Sequence, residues 1–170
     1  MGAGASDAET IVAMDAFVFS ESILIDAAPE FVYDLVTDIG RTGEWSPICR
    51  NCWWKGEQGA RPGAWFVGRN EADGQVWVTE SQVAVANRGR EFAWLVGGQY
   101  ARWGYRLERV GGGSRLTESW EFLPAGRTMF RQKYGSRADD RIALRRSQAM
   151  RGIPATLAAI KRIAEAERPD

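Results

Sequence analysis

Three consecutive segments in the second half of the chain alternate between apolar and polar positions. They are Arg90–Val96, Gln99–Arg109 and Ser114–Phe122, and glycine-containing turns separate them. A period of two over such segments predicts antiparallel strands. One face of these strands carries bulky aromatic side chains and the other carries charged side chains, which is typical of a sheet with one face in water. Another part of the chain must therefore cover the aromatic face.

The first half of the chain predicts further strands and two short helices. A helix begins near Pro29, because proline suits the first turn of a helix, and a second short helix occupies Ile39–Glu44. The face of the last strand in this half is ambiguous, because Val76 and Val78 do not share a row with Trp77, and a β-bulge would resolve this. The predicted strands are Ala16–Asp26, Asn51–Lys55, Ala64–Asn70 and Val76–Val85.

The C-terminal part predicts a polar connection followed by one long helix. Leu123–Ala138 is rich in Arg and Gly, and we interpret it as the connection. Asp139 and Asp140 suit the N-cap of a helix that runs to about Glu167. Pro154 inside this helix removes one backbone hydrogen bond and predicts a kink. The helix carries one apolar stripe, made of Met150, Ile153, Leu157, Ile160 and Ala164.

The order of these elements predicts an α+β helix-grip fold. A long helix with one apolar stripe and a sheet with one aromatic face fit together when the curved sheet wraps around the helix. We expect about seven antiparallel strands, with the two short helices directly after the first strand. Residues 1–15 lack the features of a signal peptide and are interpreted as a flexible arm, and residues 16–168 as a single domain.

The composition of the chain excludes several classes of function. The 170 residues are 45% hydrophobic with zero net charge, which suits one domain with a sizeable core. No basic run interleaves with aromatic residues, so we expect no nucleic-acid partner. No apolar run is long enough to span a membrane, so we expect no stable membrane insertion and a cytoplasmic protein. The chain has no histidine, which removes the commonest general base and metal ligand.

Several motifs resemble one known family. They are Ile25–Tyr33 (IDAAPEFVY), Trp45-Ser46-Pro47, Gly63–Phe66, Gly68–Asn70, Gly89–Trp94, Trp103–Tyr105 and Gly113–Ser119. Together they resemble the SRPBCC superfamily, which is START-like and also called polyketide cyclase/dehydratase-like, and in particular its small bacterial single-domain members. The resemblance covers about Ser20 to Ala166. The family includes lipid and hormone carriers and aromatic polyketide cyclases, so the resemblance implies a deep cavity between the sheet and the long helix.

The inward rows of the predicted strands supply a lining typical of small-molecule pockets, with large rings and few polar groups. Each ring alone is equally typical of a solid core, so the cavity is inferred from the set and from the resemblance. We expect Trp45 and the loop near Pro47 to form an entrance, and Met150, Ile153 and Leu157 to form the helix side. The predicted ligand-binding residues on the strands are Phe66, Asn70, Trp77, Thr79, Ser81, Trp94, Trp103, Tyr105, Glu118 and Trp120.

Glu118 is the candidate catalytic residue. It lies between Leu116 and Trp120 on the apolar row, where a carboxylate is costly unless it is paired or protonated. A raised pKa would suit a general acid or base, with Tyr105, Asn70 or Ser81 orienting an oxygen. Glu21 has inward parity on the first strand and could share the site. The alternative, which we favour, is a structural ion pair with an arginine or a position at the water-filled rim.

Two other features have simple interpretations. Cys49 and Cys52 form a CxxC motif, but without histidine or further cysteine one chain cannot offer zinc its usual four ligands. We interpret them as free thiols, with a metal site between subunits or a redox switch as alternatives, and we predict no metal or cofactor. Arg127–Arg151 has an excess of Lys and Arg that could meet a carboxylate or an anionic headgroup. We favour a solvated face.

The sequence predicts a protein that encloses a hydrophobic small molecule, either aromatic, polyketide-like or lipid-like, and that is a monomer or a homodimer. One alternative is a polyketide cyclase/dehydratase-type enzyme that uses Glu118 as general acid or base. A second alternative is a stress-response or regulatory binding module. The absence of histidine counts against catalysis, and the inward Glu118 counts for it.

Overall fold

Seven antiparallel strands form one curved sheet in the computed structural model, which describes residues 16–57 and 59–169. The strand order is β1-β7-β6-β5-β4-β3-β2, so β1 and β2 are the edge strands. The predicted arm over residues 1–15 lies outside the described residues. The strands are β1 (Val18–Ile25), β2 (Cys49–Trp54), β3 (Trp65–Ala72), β4 (Gln75–Asn87), β5 (Glu91–Val96), β6 (Ala101–Val110) and β7 (Gly113–Phe122).

Two short helices follow β1, as predicted, and a long helix ends the chain. The short helices are α1 (Pro29–Thr37) and a 3₁₀ helix (Ile39–Glu44). The long helix begins at Ala138 with Arg137 as its N-cap, so the prediction of an N-cap at Asp139 or Asp140 is wrong, and both residues lie in its first turn. The helix continues through Pro154. The predicted α+β helix-grip fold is confirmed. None of the helices that the structure describes is long and apolar enough to cross a membrane.

The prediction of a polar connection over Leu123–Ala138 is wrong. This segment forms α2 (Pro124–Tyr134) and a one-turn 3₁₀ helix (Gly135–Arg137), and α3 (Ala138–Glu167) follows directly. Only Gly126 and Phe130 of α2 are buried, so the segment has too few apolar positions to show a helical period. Aromatic contacts hold it instead, because the Phe130 ring packs edge-on against Phe122 at 4.9 Å and Tyr134 at 5.1 Å.

A β-bulge settles the ambiguous face of β4. The register between β4 and β5 shifts between Val83 and Val85, so the strand changes face there. Before the bulge, Ser81 and Val83 are buried on the inner face, while Val76 and Val78 are exposed. The inner row of β4 is therefore the one that begins at Trp77, and it faces the long helix.

The buried stripe on α3 omits one predicted member, Met150, and adds others that were not predicted, among them Ile142 and Ala149. Its buried residues include Ile142, Ala149, Ile153, Leu157, Ile160 and Ala164. Met150 is 40% exposed, because Ala149, four residues before Ile153, takes the inward place instead. The helix therefore presents large side chains to the core along its C-terminal half and a small one near its middle.

Close contact at Gly126 positions α2 on the sheet. A Cβ at this position would overlap the carbonyl oxygen of Tyr100 and lie 2.9 Å from Cε2 of Phe122. We expect Gly126→Ala to lower the free energy of unfolding by about 1–3 kcal/mol, because backbone atoms must move apart to admit the methyl group. Urea denaturation measures the change. The control is Gly112→Ala in open space, which should stay within about 0.5 kcal/mol of wild type. Equal effects of the two changes would contradict the prediction.

Candidate functional site

A cavity of about 440 Å³ lies between the inner face of the sheet and the helices α2 and α3. Its volume is within the range of about 300–1,000 Å³ that small-molecule pockets occupy. Many of the residues predicted as ligand-binding line it. These are Trp45, Phe66, Asn70, Trp77, Thr79, Ser81, Trp94, Trp103, Tyr105, Glu118 and Trp120.

Aromatic rings on neighbouring strands contact one another and form one wall of the cavity, which we call the aromatic wall. The Trp94 ring lies 6.0 Å from Phe66 and 5.6 Å from Tyr105, with the rings tilted or edge-on. Strand register places Trp94, Trp103 and Trp120 side by side across β5, β6 and β7. Rings in such contact have little freedom to rotate into the cavity. The set of rings therefore forms a wall rather than a solid filling.

The prediction that Met150, Ile153 and Leu157 line the cavity is wrong. Met150 is on the exposed side of α3, and the other two are buried in the core next to the cavity. The residues of α3 that do line it are Arg145, Gln148, Ala149, Gly152 and Thr156.

These α3 residues were missed because apolar periodicity selects large side chains. Arg145, Ala149, Gly152 and Thr156 are spaced by three or four and so lie on one helical face. Three of the four are small, which leaves space between α3 and the sheet. The spacing of small residues next to a large apolar stripe was the sequence signal for this face. Helix α2 adds Met129, Phe130, Lys133 and Tyr134 to the lining, and these were missed together with the helix itself.

Glu118 is fully buried and unpaired, so the favoured interpretation as an ion pair or a rim residue is wrong. It is 4% exposed, and its Oε2 has no hydrogen-bond partner among residues 16–57 and 59–169. Burial raises the pKa of Glu118 well above its ordinary value. Glu21 is directly opposite on β1 but is exposed at the sheet edge. It therefore does not share the buried site, and burial favours the neutral form of the Glu118 carboxyl.

Tyr105 and Trp45 lie on the same wall as Glu118. Tyr105 is the cross-strand neighbour of Glu118, and burial raises the pKa of its hydroxyl well above the ordinary tyrosine value. Trp45 is only 3% exposed, so it belongs to the wall and not to the expected entrance. Its Nε1 makes no hydrogen bond of normal geometry within the described part of the chain, although it lies near enough to the Tyr105 hydroxyl to lower the pKa of that tyrosine. Each such buried polar atom costs about 1–3 kcal/mol when it stays unpaired.

The other polar residues of the lining bond mainly to the protein. Asn70 Nδ2 donates to the carbonyl oxygen of Gly68 and to Thr79 Oγ1, both at 3.2 Å. Asn70 is thereby fixed in position. Among the described residues, Glu118 Oε2 and Trp45 Nε1 are the fully buried polar atoms of the lining that make no hydrogen bond of normal geometry.

Cys49 and Cys52 also line the cavity, which the sequence analysis did not predict. A register shift between Cys49 and Asn51 turns both thiols to the inner face, and their sulfur atoms are 3.6 Å apart. The hydrogen bond between them lowers the pKa of Cys49 and raises that of Cys52. The described residues contain no cluster of three or more His, Cys, Asp or Glu that could hold a metal. A redox role or a shared metal site remains a hypothesis.

Arg145 lines the cavity as one of the two cations that the described residues place there, with Lys133, so the interpretation of Arg145 as part of a solvated face is wrong. Its Cζ lies 5.1 Å from the centre of the Trp77 ring, and Nη1 donates to Oε1 of Gln148 at 2.9 Å. The side chain is half-buried, and burial lowers its pKa from the ordinary arginine value. The guanidinium is thus aligned by a ring and an amide, both of them neutral.

The family model described as polyketide cyclase / dehydrase and lipid transport matches residues 16–141. The chain belongs to this family. Among solved structures, this family member is 47% identical to the Polyketide_cyc-like protein Cgl2372 from Corynebacterium glutamicum, with a TM-score of 0.66. That match covers 88% of this chain and 92% of the other. No curated protein matches the chain.

More distant structures show how widely this family member shares its fold. The di-domain ARO/CYC protein StfQ of the steffimycin biosynthetic pathway is 14% identical with a TM-score of 0.65, over 95% of this chain and 55% of that chain. Ara h 8.0201 is also 14% identical, with a TM-score of 0.60, over 88% of this chain and 98% of that chain. At this identity the likeness concerns the fold alone. The family supports a ligand-binding or cyclase role.

The buried carboxyl of this family member predicts a pH-dependent stability. We expect Glu118→Gln to raise the free energy of unfolding near pH 8 by about 1–3 kcal/mol, and by less near pH 5. The unfolded chain releases the Glu118 proton above the ordinary carboxyl pKa, whereas the folded chain retains it. Wild-type stability therefore falls as the pH rises from that value toward the raised pKa, and the amide removes this loss. Urea denaturation at the two pH values measures it.

The control for this prediction is Glu21→Gln. Glu21 is opposite Glu118 but exposed, so its amide variant should change stability by less than about 0.5 kcal/mol at either pH. A Glu118→Gln effect of the same size at both pH values would contradict the buried, neutral carboxyl.

Proposed function

We propose that this protein binds an apolar small molecule, with rings or an acyl chain, in the cavity between the sheet and α3. The observation that carries the proposal is a cavity of about 440 Å³ walled by mutually supported aromatic rings. Rings of this size would normally fill a core, because protein interiors are close-packed. The small residues of α3 keep the space open, which supports a binding role for it.

The two unpaired polar atoms suggest one further property of the ligand. Trp45 Nε1 is a donor only, and the neutral Glu118 carboxyl can donate or accept. A carbonyl or hydroxyl oxygen on the ligand could accept from both and would remove the cost of leaving them unpaired. We therefore expect the ligand to be mostly apolar with at least one such oxygen.

Native mass spectrometry combined with cavity filling tests the proposal. We expect Ala149→Leu to weaken binding of the co-purified ligand or of N-phenyl-1-naphthylamine by at least about tenfold, because the larger side chain enters the cavity. The matched control is Ala143→Leu, on the exposed side of the same helix, which should bind as wild type does. The expected result is that wild type and the Ala143→Leu variant retain a discrete added mass, whereas the Ala149→Leu variant loses it.

Two results would overturn the proposal. If wild type carries no added mass under gentle conditions and binds no apolar dye, the cavity is not a ligand site. If Ala149→Leu binds as tightly as Ala143→Leu, ligands bind elsewhere on the protein. Circular dichroism establishes that both variants are folded.

The second candidate function is a cyclase or dehydratase, and the buried Glu118 favours it. A carboxyl whose pKa is raised by burial keeps its proton to a higher pH and can donate it to a leaving hydroxyl group as a general acid. Tyr105, on the neighbouring strand, could orient the reacting oxygen. The same carboxyl is a poor base under these conditions, so the acid role is the one the site supports. The lack of histidine leaves few other proton donors.

Glu118→Gln separates catalysis from binding. If Glu118 is the general acid, turnover of a hydroxylated polycarbonyl substrate should fall by about 100-fold or more, while binding of an apolar dye stays within about twofold. Turnover of the wild type should also decline as the pH rises through the raised pKa. Unchanged turnover in the variant would remove the catalytic role. Tyr105→Phe is the companion variant and should reduce turnover less.

We retain the remaining sequence-based expectations as proposals. They are a cytoplasmic location, a monomer or homodimer, the absence of a nucleic-acid partner, a single domain over residues 16–168, and the alternative of a regulatory module.

A further inference from the structure

In the described part of the chain, Arg145 has no carboxylate partner, unlike the half-buried Arg41 and Arg102. Arg102 pairs with Glu91 at 2.7 Å, and Arg41 pairs with both Glu44 and Glu167 at 2.7 Å. Within residues 16–57 and 59–169, Arg145 has no ion pair within 4.0 Å. Its described contacts are the Trp77 ring and the Gln148 amide. A positive charge is therefore held at the cavity without a counter-charge.

The surroundings of Arg145 add positive charge and give access to solvent. Lys133 on α2 lines the same cavity and is exposed, so this part of the lining reaches water. Lys133 and Arg141 both contact the Tyr134 ring, at 5.3 and 5.4 Å, and neither forms an ion pair in the part of the chain that the structure describes. The field at this end of the cavity therefore favours an anion.

The arrangement at Arg145 is costly for an empty site but suits a bound anion. Partial burial weakens the hydration of the guanidinium, and a planar ring beneath it limits its motion. A carboxylate can accept two parallel N–H bonds from such a guanidinium, and these charge-assisted bonds are stronger than neutral ones. The side chain is thus ordered before the anion arrives, which lowers the entropy cost of binding.

We propose that the ligand of this cavity is amphipathic, with a carboxylate or similar anionic group bound by Arg145 and an apolar body against the aromatic wall. This inference rests on the proposed function, because it assigns one end of the same ligand. Lys133 contributes long-range attraction at the opening. The chemical class is an apolar acid, either an acyl chain or a ring system with one acidic group.

Two dyes that share one ring system test this inference. 1-Anilinonaphthalene-8-sulfonate and N-phenyl-1-naphthylamine have the same aromatic rings, and only the first carries an anionic group. We expect the wild type to bind the sulfonate dye at least about tenfold more tightly at low salt, with one site per chain. The preference should weaken as the salt concentration rises, because ions screen the exposed part of the charge. Fluorescence titration measures both affinities.

Variants of Arg145 identify the source of the preference. Arg145→Met should reduce sulfonate-dye affinity by about tenfold or more and leave neutral-dye affinity within about twofold. Arg145→Lys should retain part of the preference, since it keeps the charge without the planar fork. The matched control is Arg151→Met, an exposed arginine on the same helix that does not line the cavity. It should bind both dyes as the wild type does.

The outcomes separate this inference from the proposed function. If the neutral dye binds in the cavity and the affinity for the sulfonate dye is equal or lower, the anion site is overturned and the proposed function stays intact. Equal loss of the preference in the Arg145 and Arg151 variants would also overturn it, because general surface charge would then explain the effect. Failure of both dyes to bind would overturn the proposed function and this inference together.

Discussion

The cavity depends on how α3 packs across the inner face of the sheet. Ile153, Leu157 and Ile160 are almost completely buried and hold the C-terminal half of the helix against the core. On the neighbouring face, Ala149, Gly152 and Thr156 are too small to reach the aromatic wall. Large and small residues on adjacent helical faces thus fix the helix in place while keeping a space beside it. A helix with large residues on both faces would close that space.

The same packing explains why polar groups remain unpaired inside the protein. Glu118 is on β7, next to the edge strand β1, and Trp45 follows the 3₁₀ helix, and both side chains are almost completely buried. Stability alone would favour apolar residues at both positions, because unpaired buried polar atoms are costly. Their presence beside the cavity, together with an unpaired Arg145 at its solvent side, is better explained by a ligand that pairs with them.

Family membership and the geometry of the site together narrow the choice between ligand binding and catalysis. The family description covers both cyclases or dehydrases and lipid transport, so it does not choose between catalysis and carriage. The site contains one buried carboxyl that can serve as an acid, one tyrosine next to it, and no histidine. Binding needs only the open wall and the polar contacts, whereas catalysis also needs a substrate whose leaving group meets Glu118. The apolar cavity therefore supports binding more directly.

Much of the fold could be predicted from local patterns. Alternation placed the strands, Pro29 placed α1, and the apolar stripe placed α3, because each of these depends on neighbouring residues. Helix α2 escaped detection, since it has one large buried side chain and its stability comes from contacts with Phe122 and the Tyr100 backbone. The bulge in β4 was expected but could not be located, because its position depends on the pairing with β5.

The sequence by itself determined which side chains form the aromatic wall, including the inward position of Glu118, because the faces of a strand alternate strictly. Only the tertiary structure decided the rest of the site. It showed that Glu118 has no partner and that Glu21 is exposed at an edge. It also showed that small residues and Arg145, rather than Met150, face the cavity. The physical reason is that burial, pairing and empty space depend on how separate elements pack, and periodicity along one element does not contain that information.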